Sequence, residues 1–248
     1  MKPLVIAIDG PSGAGKGTVA RAVARRLGYR HVDTGAMYRA VAWRALDARV
    51  DLDDESAVVA VATTAVLEID GNAVRIDGHD VTQAIRTPEI DAATSRVARL
   101  ARVRQVLVAR QRAMGENGGI VMEGRDIGTV VFPDADVKIY LDASPEERAR
   151  RRANDPAHTS NRTSGVAEVA SALQQRDHLD RTRAASPLTL AADAVHIDTT
   201  GLPIDDVVER VIRVVQARLL SRPGSLSLLF LFFSLLLISF SPLPEILR

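Results

Sequence analysis

Residues 4–18 decide the fold: Leu4-Val-Ile-Ala-Ile-Asp9-Gly10-Pro11-Ser12-Gly13-Ala14-Gly15-Lys16-Gly17-Thr18. The apolar, β-branched run at the start predicts a buried strand, and it ends in a glycine-rich loop. A helical pattern of apolar residues follows at once, through Val19, Ala20, Val23 and Leu27. Strand, glycine loop and helix in this order form the context that a phosphate-binding loop requires.

The glycines of this loop let the backbone turn sharply, so that its N–H groups can approach an anion without a Cβ in the way. The N-terminus of the following helix adds partial positive charge, and Lys16 adds a full charge that can reach the β- and γ-phosphates. Gly17 stands where Ser or Thr usually follows the lysine, and a hydroxyl comes one residue later at Thr18. This form is typical of nucleoside monophosphate kinases rather than GTPases. We therefore expect Gly10–Thr18 to bind a nucleoside triphosphate. The alternative is a glycine-rich turn before an ordinary helix.

Composition limits the class of protein. With 248 residues, 46% apolar and 25% charged, the chain can fold as one substantial domain with a smaller insert. The absence of Cys excludes disulfides and thiolate metal sites, and the five His have no metal-ligand spacing, so we expect no such metal site. A net charge of +1 gives no reason to expect a nucleic-acid partner. No signal-peptide pattern is visible, and we expect a cytoplasmic protein.

Strands and helices alternate along the chain. Strands are predicted at 29–32, 120–122, 136–141 and 194–198, with helices at 52–67 and along 93–114. This alternation predicts a three-layer α/β fold with a mostly parallel sheet covered on both faces. Two short alternating runs, 66–70 and 73–77, flank Gly71-Asn72 and predict a small antiparallel hairpin as an insert.

A helix start at Asp33-Thr34-Gly35 brings three polar side chains together. Either Asp33 or Thr34 is suited to be its N-cap. Because Thr34 and Tyr38 are four residues apart and Arg39 is adjacent, their side chains could hold a phosphate. The alternative is a capping Thr34 with Tyr38 and Arg39 on the surface.

A second charged cluster, Glu123-Gly124-Arg125-Asp126, follows the buried strand 120–122. Ligands of open parallel sheets bind beyond the carboxyl ends of the strands, so this cluster is a candidate site. The alternative is a buried structural ion pair.

Arginines also flank a polar segment. Ser144-Pro-Glu-Glu147 predicts a helix start with a capping box, and that helix places Arg148, Arg151 and Arg152 on one face. The polar stretch 154–165 that follows predicts a mobile lid. Beyond it, Arg176, Asp180 and Arg183 share a helix face, which either belongs to the site or is simply solvated.

Four motifs in order carry a resemblance to a known family: Gly-Pro-Ser-Gly-Ala-Gly-Lys-Gly-Thr, Asp-Thr-Gly-Ala-Met-Tyr-Arg, Gly-Arg-Asp-Ile-Gly-Thr-Val-Val-Phe-Pro and Arg-Asp-x-x-Asp-Arg-x-Arg. Together they closely resemble bacterial cytidylate kinases over residues 2–220. The resemblance implies one domain over 1–220, with a P-loop core, a monophosphate-binding insert at about 34–105 and a lid at about 150–166. It also implies transfer of the γ-phosphate of ATP to CMP or dCMP, with Mg²⁺.

The resemblance further implies residue roles. The acceptor phosphate would be held by Thr34, Tyr38, Arg39, Arg125 and Arg183. The cytosine edge would be read by Ser95, Arg104 and Asp126, and Arg176 and Asp180 would serve acceptor phosphate and ribose. The transferring phosphoryl would be stabilised by Lys16 and the lid arginines Arg148, Arg151 and Arg152. Asp126 would also orient Arg125.

Other interpretations stay open. The chain could be a P-loop kinase for another acceptor, such as a different nucleotide or shikimate, or a nucleotide-binding switch without transfer activity.

The tail 221–248 contains Leu226–Phe240, almost wholly Leu, Phe and Ser. As a helix this stretch spans about 22 Å, short of the roughly 30 Å hydrocarbon core. A translated frameshift, a hydrophobic contact segment and a weak membrane anchor, hence a membrane-attached kinase, all fit it. We expect a monomer without membrane contact.

Overall fold

A computed structural model describes residues 2–71, 73–155 and 165–222. Most of the predicted lid, 156–164, and the tail from 223 onward lie outside these residues. The strands are β1 Val5–Asp9, β2 Arg30–Asp33, β3 Leu67–Asp70, β4 Ala73–Ile76, β5 His79–Asp80, β6 Ile120–Gly124, β7 Val137–Asp142 and β8 Val195–Asp198. The α-helices are α1 Lys16–Leu27, α2 Thr34–Asp47, α3 Glu55–Thr64, α4 Pro88–Val97, α5 Ala101–Gly115, α6 Pro145–Ala153, α7 Val166–Thr182 and α8 Ile204–Leu220. A 3₁₀ turn at Ala84–Arg86 and a π-helical turn at Ile127–Val131 complete the set.

The main sheet has five strands in the order β2-β6-β1-β7-β8, and each neighbouring pair is parallel. Because β1 is the central strand, the glycine loop that follows it lies at the middle of the carboxyl edge. This confirms the predicted α/β fold with a mostly parallel sheet. Ligands bind at this edge in open sheets of this kind.

Successive side chains of a strand point to opposite faces of the sheet. Because apolar side chains lie on both faces here, helices cover both. Ile6 and Ile8 pack with residues of α1 and α8 in one buried cluster. Ala7 and Met122 point to the opposite face, where they pack with α2, α3 and α5. Strands buried on both faces need apolar residues at nearly every position, which explains the continuous apolar run at the start of the chain.

The predicted hairpin insert is confirmed as β3 and β4, which pair in antiparallel register with Leu67 opposite Ile76. The structure adds a third strand, β5, that pairs with β4. A strand of only two residues carries no readable alternation, so the sequence did not predict it. The insert packs on α2 through buried Ile76, Val81 and Ile85.

Two local predictions need correction. The capping box at α6 is only half formed: Ser144 Oγ accepts the N–H of Glu147 at 3.2 Å, but the Glu147 carboxylate binds Arg150 and Arg151. The Ser144 N–H donates instead to Thr200 Oγ1 at 2.8 Å. The helix predicted at 52–67 is shorter, since α3 ends at Thr64 and β3 begins at Leu67.

In the part of the chain that the structure describes, no helix combines the length and the apolar character needed to cross a bilayer.

Candidate active site

A cavity of about 860 Å³ lies at the carboxyl edge of the main sheet. The glycine loop and α1 bound one side, and α2, the end of β6, α6 and α7 bound the others. Most of the side chains predicted as site residues meet here. They are Ser12, Gly13, Gly15, Lys16, Gly17, Thr18, Thr34, Tyr38, Arg39, Arg104, Arg125, Asp126, Arg151, Arg152, Arg176, Asp180 and Arg183.

The glycine loop takes its shape from backbone conformations that other residues avoid. Gly10 has a φ of +145°, and a Cβ there would lie 1.9 Å from the carbonyl oxygen of Leu141. Gly15 adopts the left-handed conformation as N-cap of α1, with no side-chain cap. The N-terminal N–H groups of α1 are therefore left for a ligand. Gly10, Pro11 and Ala14 do not line the cavity themselves. Gly10 instead lets the loop pass close to β7, where a side chain would not fit.

Lys16 is 6% exposed and donates from Nζ to the carbonyl oxygen of Pro11 at 2.7 Å. Burial, followed by the nearby charge of Arg125, lowers the pKa of Lys16 to about 7. An anionic phosphate would reverse this effect by favouring the protonated amine.

Asp9, at the end of β1, supports the loop from behind and was not predicted. Its carboxylate accepts the N–H groups of Ile127 at 2.9 Å and Gly128 at 2.7 Å. Burial raises the pKa of Asp9 to about 6 against the effect of these two bonds. Asp9 thus fixes the end of β1 against the turn that follows β6. Its place at the end of a predicted strand was a usable signal.

The start of α2 contradicts the surface alternative for Thr34, Tyr38 and Arg39. Asp33 caps the helix by accepting the N–H of Ala36 at 3.0 Å, while the Thr34 hydroxyl donates to the carbonyl of Glu123 at 2.6 Å. Tyr38 and Arg39 are each 7% exposed. Burial raises the pKa of Tyr38 to about 12. The guanidinium of Arg104 lies 5.3 Å from the centre of the Tyr38 ring.

Beyond β6, arginines and carboxylates alternate. Arg104 pairs with Asp126, and Arg125 Nε donates to Asp180 at 2.8 Å. Arg183 lies 3.6 Å from Asp180 and 3.9 Å from Asp126. Burial opposes the charged form of Arg125, but Asp180 outweighs it and raises the pKa of the guanidinium.

These contacts resolve two alternatives. Asp126 belongs to a buried ion pair and also lines the cavity, so the two interpretations of its motif are compatible. The solvated-face interpretation of α7 is wrong, because the side chains of Arg176, Asp180 and Arg183 are only 15%, 14% and 4% exposed. Their charges are therefore held inside the protein.

A carboxylate that was not predicted, Asp91 on α4, binds three of the predicted arginines. Arg39 donates to it from Nε at 3.2 Å and Nη2 at 3.0 Å, and Arg176 donates from Nη1 at 3.1 Å. Arg152 donates to its other oxygen at 2.5 Å. Nothing in the spacing of the sequence indicated this contact, because Asp91 and its three partners lie on four separate helices.

The three arginines of α6 that were predicted as site residues have different surroundings. Arg151 donates to the carbonyl of Thr199 at 2.6 Å and to its hydroxyl at 2.9 Å, and Arg152 binds Asp91. Both line the cavity. Arg148 does not: it is buried, pairs with Asp177, and donates to the carbonyls of Ser12 and Ala143, each at 3.1 Å. The prediction that Arg148 reaches the transferring group is therefore corrected. This arginine joins α6, α7 and the glycine loop.

We expect Arg148→Met to lower the free energy of unfolding by about 3–5 kcal/mol, because it leaves Asp177 as an uncompensated buried charge. The side chains of Arg148 and Asp177 are only 8% and 5% exposed. Urea denaturation would measure the loss. Arg150→Met is the matched control, since Arg150 pairs with Glu147 on the same helix with 63% of its side chain exposed. An unfolding midpoint in Arg148→Met equal to that of the control would contradict this role.

Ser95 also departs from expectation. Its hydroxyl donates to the carbonyl of Asp91 at 3.2 Å, and it lines a neighbouring cavity between α4 and α7. Thr94 lines the main cavity instead. Further residues that the sequence analysis did not select line it too, among them Arg21, Arg150 and the apolar segment 202–204. That segment follows β8. The rule that ligands bind beyond the carboxyl ends of strands, which selected Arg125, could therefore have selected this segment too.

Comparisons with known proteins place the chain in context. The family described as cytidylate kinase matches residues 6–217. The chain is 48% identical over 223 residues to a cytidylate kinase from Solibacter usitatus (strain Ellin6076), covering 88% of this chain and 94% of that protein. It is 50% identical over 214 residues to a cytidylate kinase from Desulfitobacterium hafniense (strain Y51), covering 85% and 92%.

Among solved structures, an uncharacterized protein from Eubacterium ventriosum ATCC 27560 superposes with a TM-score of 0.51 and 11% identity, covering 87% of this chain and 99% of that one. This likeness concerns the fold alone.

Proposed function

Because this chain belongs to the cytidylate kinase family, we propose that its main cavity holds ATP and CMP or dCMP together and transfers the γ-phosphate between them. ATP is the co-substrate, and the products are ADP and CDP or dCDP. The observation that carries this proposal is the shared cavity: the glycine loop opens into the same space as the buried Arg39 of α2 and the half-buried Arg125 after β6 and Arg176 of α7.

The charge of the cavity suits two phosphorylated ligands. Among the described residues, eleven cationic and six acidic side chains line it, although the whole chain has a net charge of only +1. Nε of Arg104 and Nη2 of Arg183 are buried and have no hydrogen-bond partner in the described parts of the chain. Buried donors of this kind are costly unless a ligand satisfies them.

The donor nucleotide belongs at the α1 end. Gly13–Thr18 present backbone N–H groups and the Lys16 amine to the phosphates of ATP. The apolar residues Leu202, Pro203 and Ile204 line the same end and offer a surface for the adenine ring. Arg21 also lines this end, and its charge favours the triphosphate.

The acceptor belongs at the α2 end. Arg39, Arg125 and Arg183 are placed to bind its phosphate, since a guanidinium can donate two bonds to phosphate oxygens. A cytosine edge needs both donors and acceptors, which Arg104 and Asp126 supply as a pair. Arg176 and Asp180 then remain for the phosphate and the ribose. Ser95 lies outside this arrangement, because its hydroxyl bonds within α4.

Phosphoryl transfer passes through a loose transition state whose charge is spread over the moving group. The protein therefore contributes position and electrostatic stabilisation rather than covalent chemistry. Lys16, Arg151 and Arg152 are the cations suited to the moving group, while Arg39, Arg125 and Arg183 fix the acceptor in line. Asp180 orients Arg125 through the bond from Nε, and Asp126 orients Arg104 rather than Arg125.

The residues fit Mg²⁺ brought in with ATP. In the described ranges, no group of three or more His, Cys, Asp or Glu side chains could hold a metal alone. Mg²⁺ commonly uses one or two protein oxygens together with substrate phosphates. Thr18 and Glu123, which line the cavity, would hold it there, and Gly17 keeps the space beside Glu123 open. When bound, the ion neutralises charge on the phosphates.

The domain plan follows from the same assignment. We propose one kinase domain over 1–220, with the acceptor insert at about 34–105 and a lid at about 150–166, acting as a monomer on free nucleotides in the cytoplasm without a nucleic-acid partner. The packing of β3–β5 on α2 supports the insert. The tail from 223 onward is assigned no function.

The proposal is tested by ADP release from ATP and Mg²⁺ with CMP, dCMP, UMP, AMP or GMP as acceptor. We expect CMP and dCMP to give the highest rates and omission of acceptor to abolish release. Preference for another acceptor would contradict the assignment of Arg104 and Asp126. ADP release without any acceptor would instead indicate a nucleotide-hydrolysing switch.

A further inference from the structure

Asp91 is the carboxylate on which the site arginines converge. Its side chain is 23% exposed and binds Arg39, Arg152 and Arg176, each at 3.1 Å or less at the closest pair of atoms. One negative charge thus faces three positive charges, and the cluster keeps a net positive charge for a phosphate.

The partners come from separate parts of the fold. Arg39 lies on α2 and Asp91 on α4, both within the acceptor insert. Arg152 lies near the end of α6 and Arg176 on α7, the helices that flank the predicted lid. Asp91 is therefore a direct polar link between the acceptor insert and both helices next to the lid.

Asp91 itself stands behind the reactive space. The three arginines line the main cavity, whereas Asp91 lines the neighbouring cavity of about 410 Å³ between α4 and α7. Arg152 and Arg176 line both cavities, so their guanidiniums separate Asp91 from the nucleotides. In this position Asp91 can orient the arginines without touching a substrate.

The electrostatics require such a partner. Burial, followed by repulsion from Arg39, lowers the pKa of Arg176 to about 10, and Asp91 counters both effects. The pKa of Asp91 is lowered: burial alone would raise it, but Arg39, Arg176 and Arg152 outweigh burial. Without the carboxylate, three neighbouring cations would repel one another.

We propose that Asp91 is a positioning residue for phosphoryl transfer, which orients Arg39, Arg152 and Arg176 and couples the acceptor insert to the lid helices. The proposal rests on the proposed function, because the arginines matter only if a phosphoryl group moves between ATP and the acceptor. A purely structural role is the competing explanation. It would change stability but not the dependence of the rate on Arg152.

The test compares Asp91→Asn with Glu89→Gln, a matched loss of one carboxylate from the exposed first turn of the same helix. We expect Asp91→Asn to lower kcat about tenfold, because an arginine that is charged but misoriented loses most of its effect on the transition state. Asp91→Glu should recover part of the loss. Glu89→Gln should stay within about twofold of the wild type.

A double-mutant cycle separates the two explanations. In an Arg152→Met background, Asp91→Asn should lower kcat about threefold rather than tenfold, because the part of its effect that passes through Arg152 is already lost while the part through Arg39 and Arg176 remains. If Asp91→Asn does not fold, Asp91→Glu takes its place in the cycle, with a smaller loss that should also decrease without Arg152. Thermal unfolding of every variant is measured in parallel.

Three results would overturn the proposal. If the wild type is active and Asp91→Asn has the same kcat as Glu89→Gln, the proposal is contradicted directly. A loss of kcat that is unchanged in the Arg152→Met background, or one that follows the loss of thermal stability alone, would show a structural role. A wild type that transfers no phosphoryl group to any acceptor would instead contradict the proposed function, and this inference with it.

Discussion

Arg125→Ala is expected to lower kcat/KM for CMP about 1,000-fold, at the upper end for the loss of one preorganised group, because we propose that Arg125 holds the acceptor phosphate in line for transfer. The guanidinium leaves the carboxyl end of β6, and Asp180 fixes it by accepting from Nε at 2.8 Å. It thus enters the cavity with its direction set before any ligand binds. Such preorganised charge adds most to the rate, because nothing has to reorganise during the reaction.

The variant should still fold, because Asp180 keeps Arg183 as a partner at 3.6 Å. Arg125→Lys should recover only part of the activity, since an ammonium group cannot make the planar two-bond contact with phosphate. Arg26→Ala serves as the control: Arg26 pairs with Glu209 at the surface, with 49% of its side chain exposed. Steady-state kinetics with varied CMP would measure kcat and the KM for CMP of each variant. Full turnover with an unchanged KM for CMP would show that Arg125 has no part in the site.

Lys16→Met is expected to lower kcat about 1,000-fold, at the upper end for the loss of one stabilising group. Lys16 is buried at the start of α1, and its amine donates to the Pro11 carbonyl, a partner that we expect the phosphates of ATP to replace. Burial strengthens the electrostatic effect of the amine on a phosphate, since little water screens it. The KM for CMP should change little, because we propose that arginines bind the acceptor phosphate instead.

Lys138→Met is a close control for this variant. Lys138 is also buried, and its amine also donates to a proline carbonyl, that of Pro133, but it lies outside the main cavity. Both variants lose one buried amine and gain the same thioether. Equal losses of kcat in the two variants would mean that the effect of Lys16 is on folding rather than on phosphoryl transfer.

The sequence predicted the parts of the structure that are encoded locally. The glycine loop, the α/β alternation and the hairpin at 67–76 depend on short-range spacing, and all three are confirmed. The position of Arg125 also followed from a general rule, because a strand delivers the residues beyond it to the carboxyl edge. Local patterns therefore sufficed to find the cavity and most of its lining.

What the sequence could not predict depends on contacts between distant segments. The 3.6-residue period places Arg148, Arg151 and Arg152 on one helix face, but only packing decides that Arg148 turns to Asp177 on α7. Asp91 is a similar case, since its three partners lie 52, 61 and 85 residues away. Ser95 carries a suitable hydroxyl, yet its bond to the carbonyl of Asp91 keeps it within α4.

The central claim is transfer between two nucleotides in one cavity, and the fate of the γ-phosphate tests it most directly. The full chain is incubated with Mg²⁺, CMP and ATP radiolabelled at the γ-phosphate, and the labelled products are separated. We expect the label in CDP, at its β-phosphate, and an initial rate of its formation about 1,000-fold lower with Lys16→Met. Label found as inorganic phosphate, with CMP unchanged, would contradict the claim.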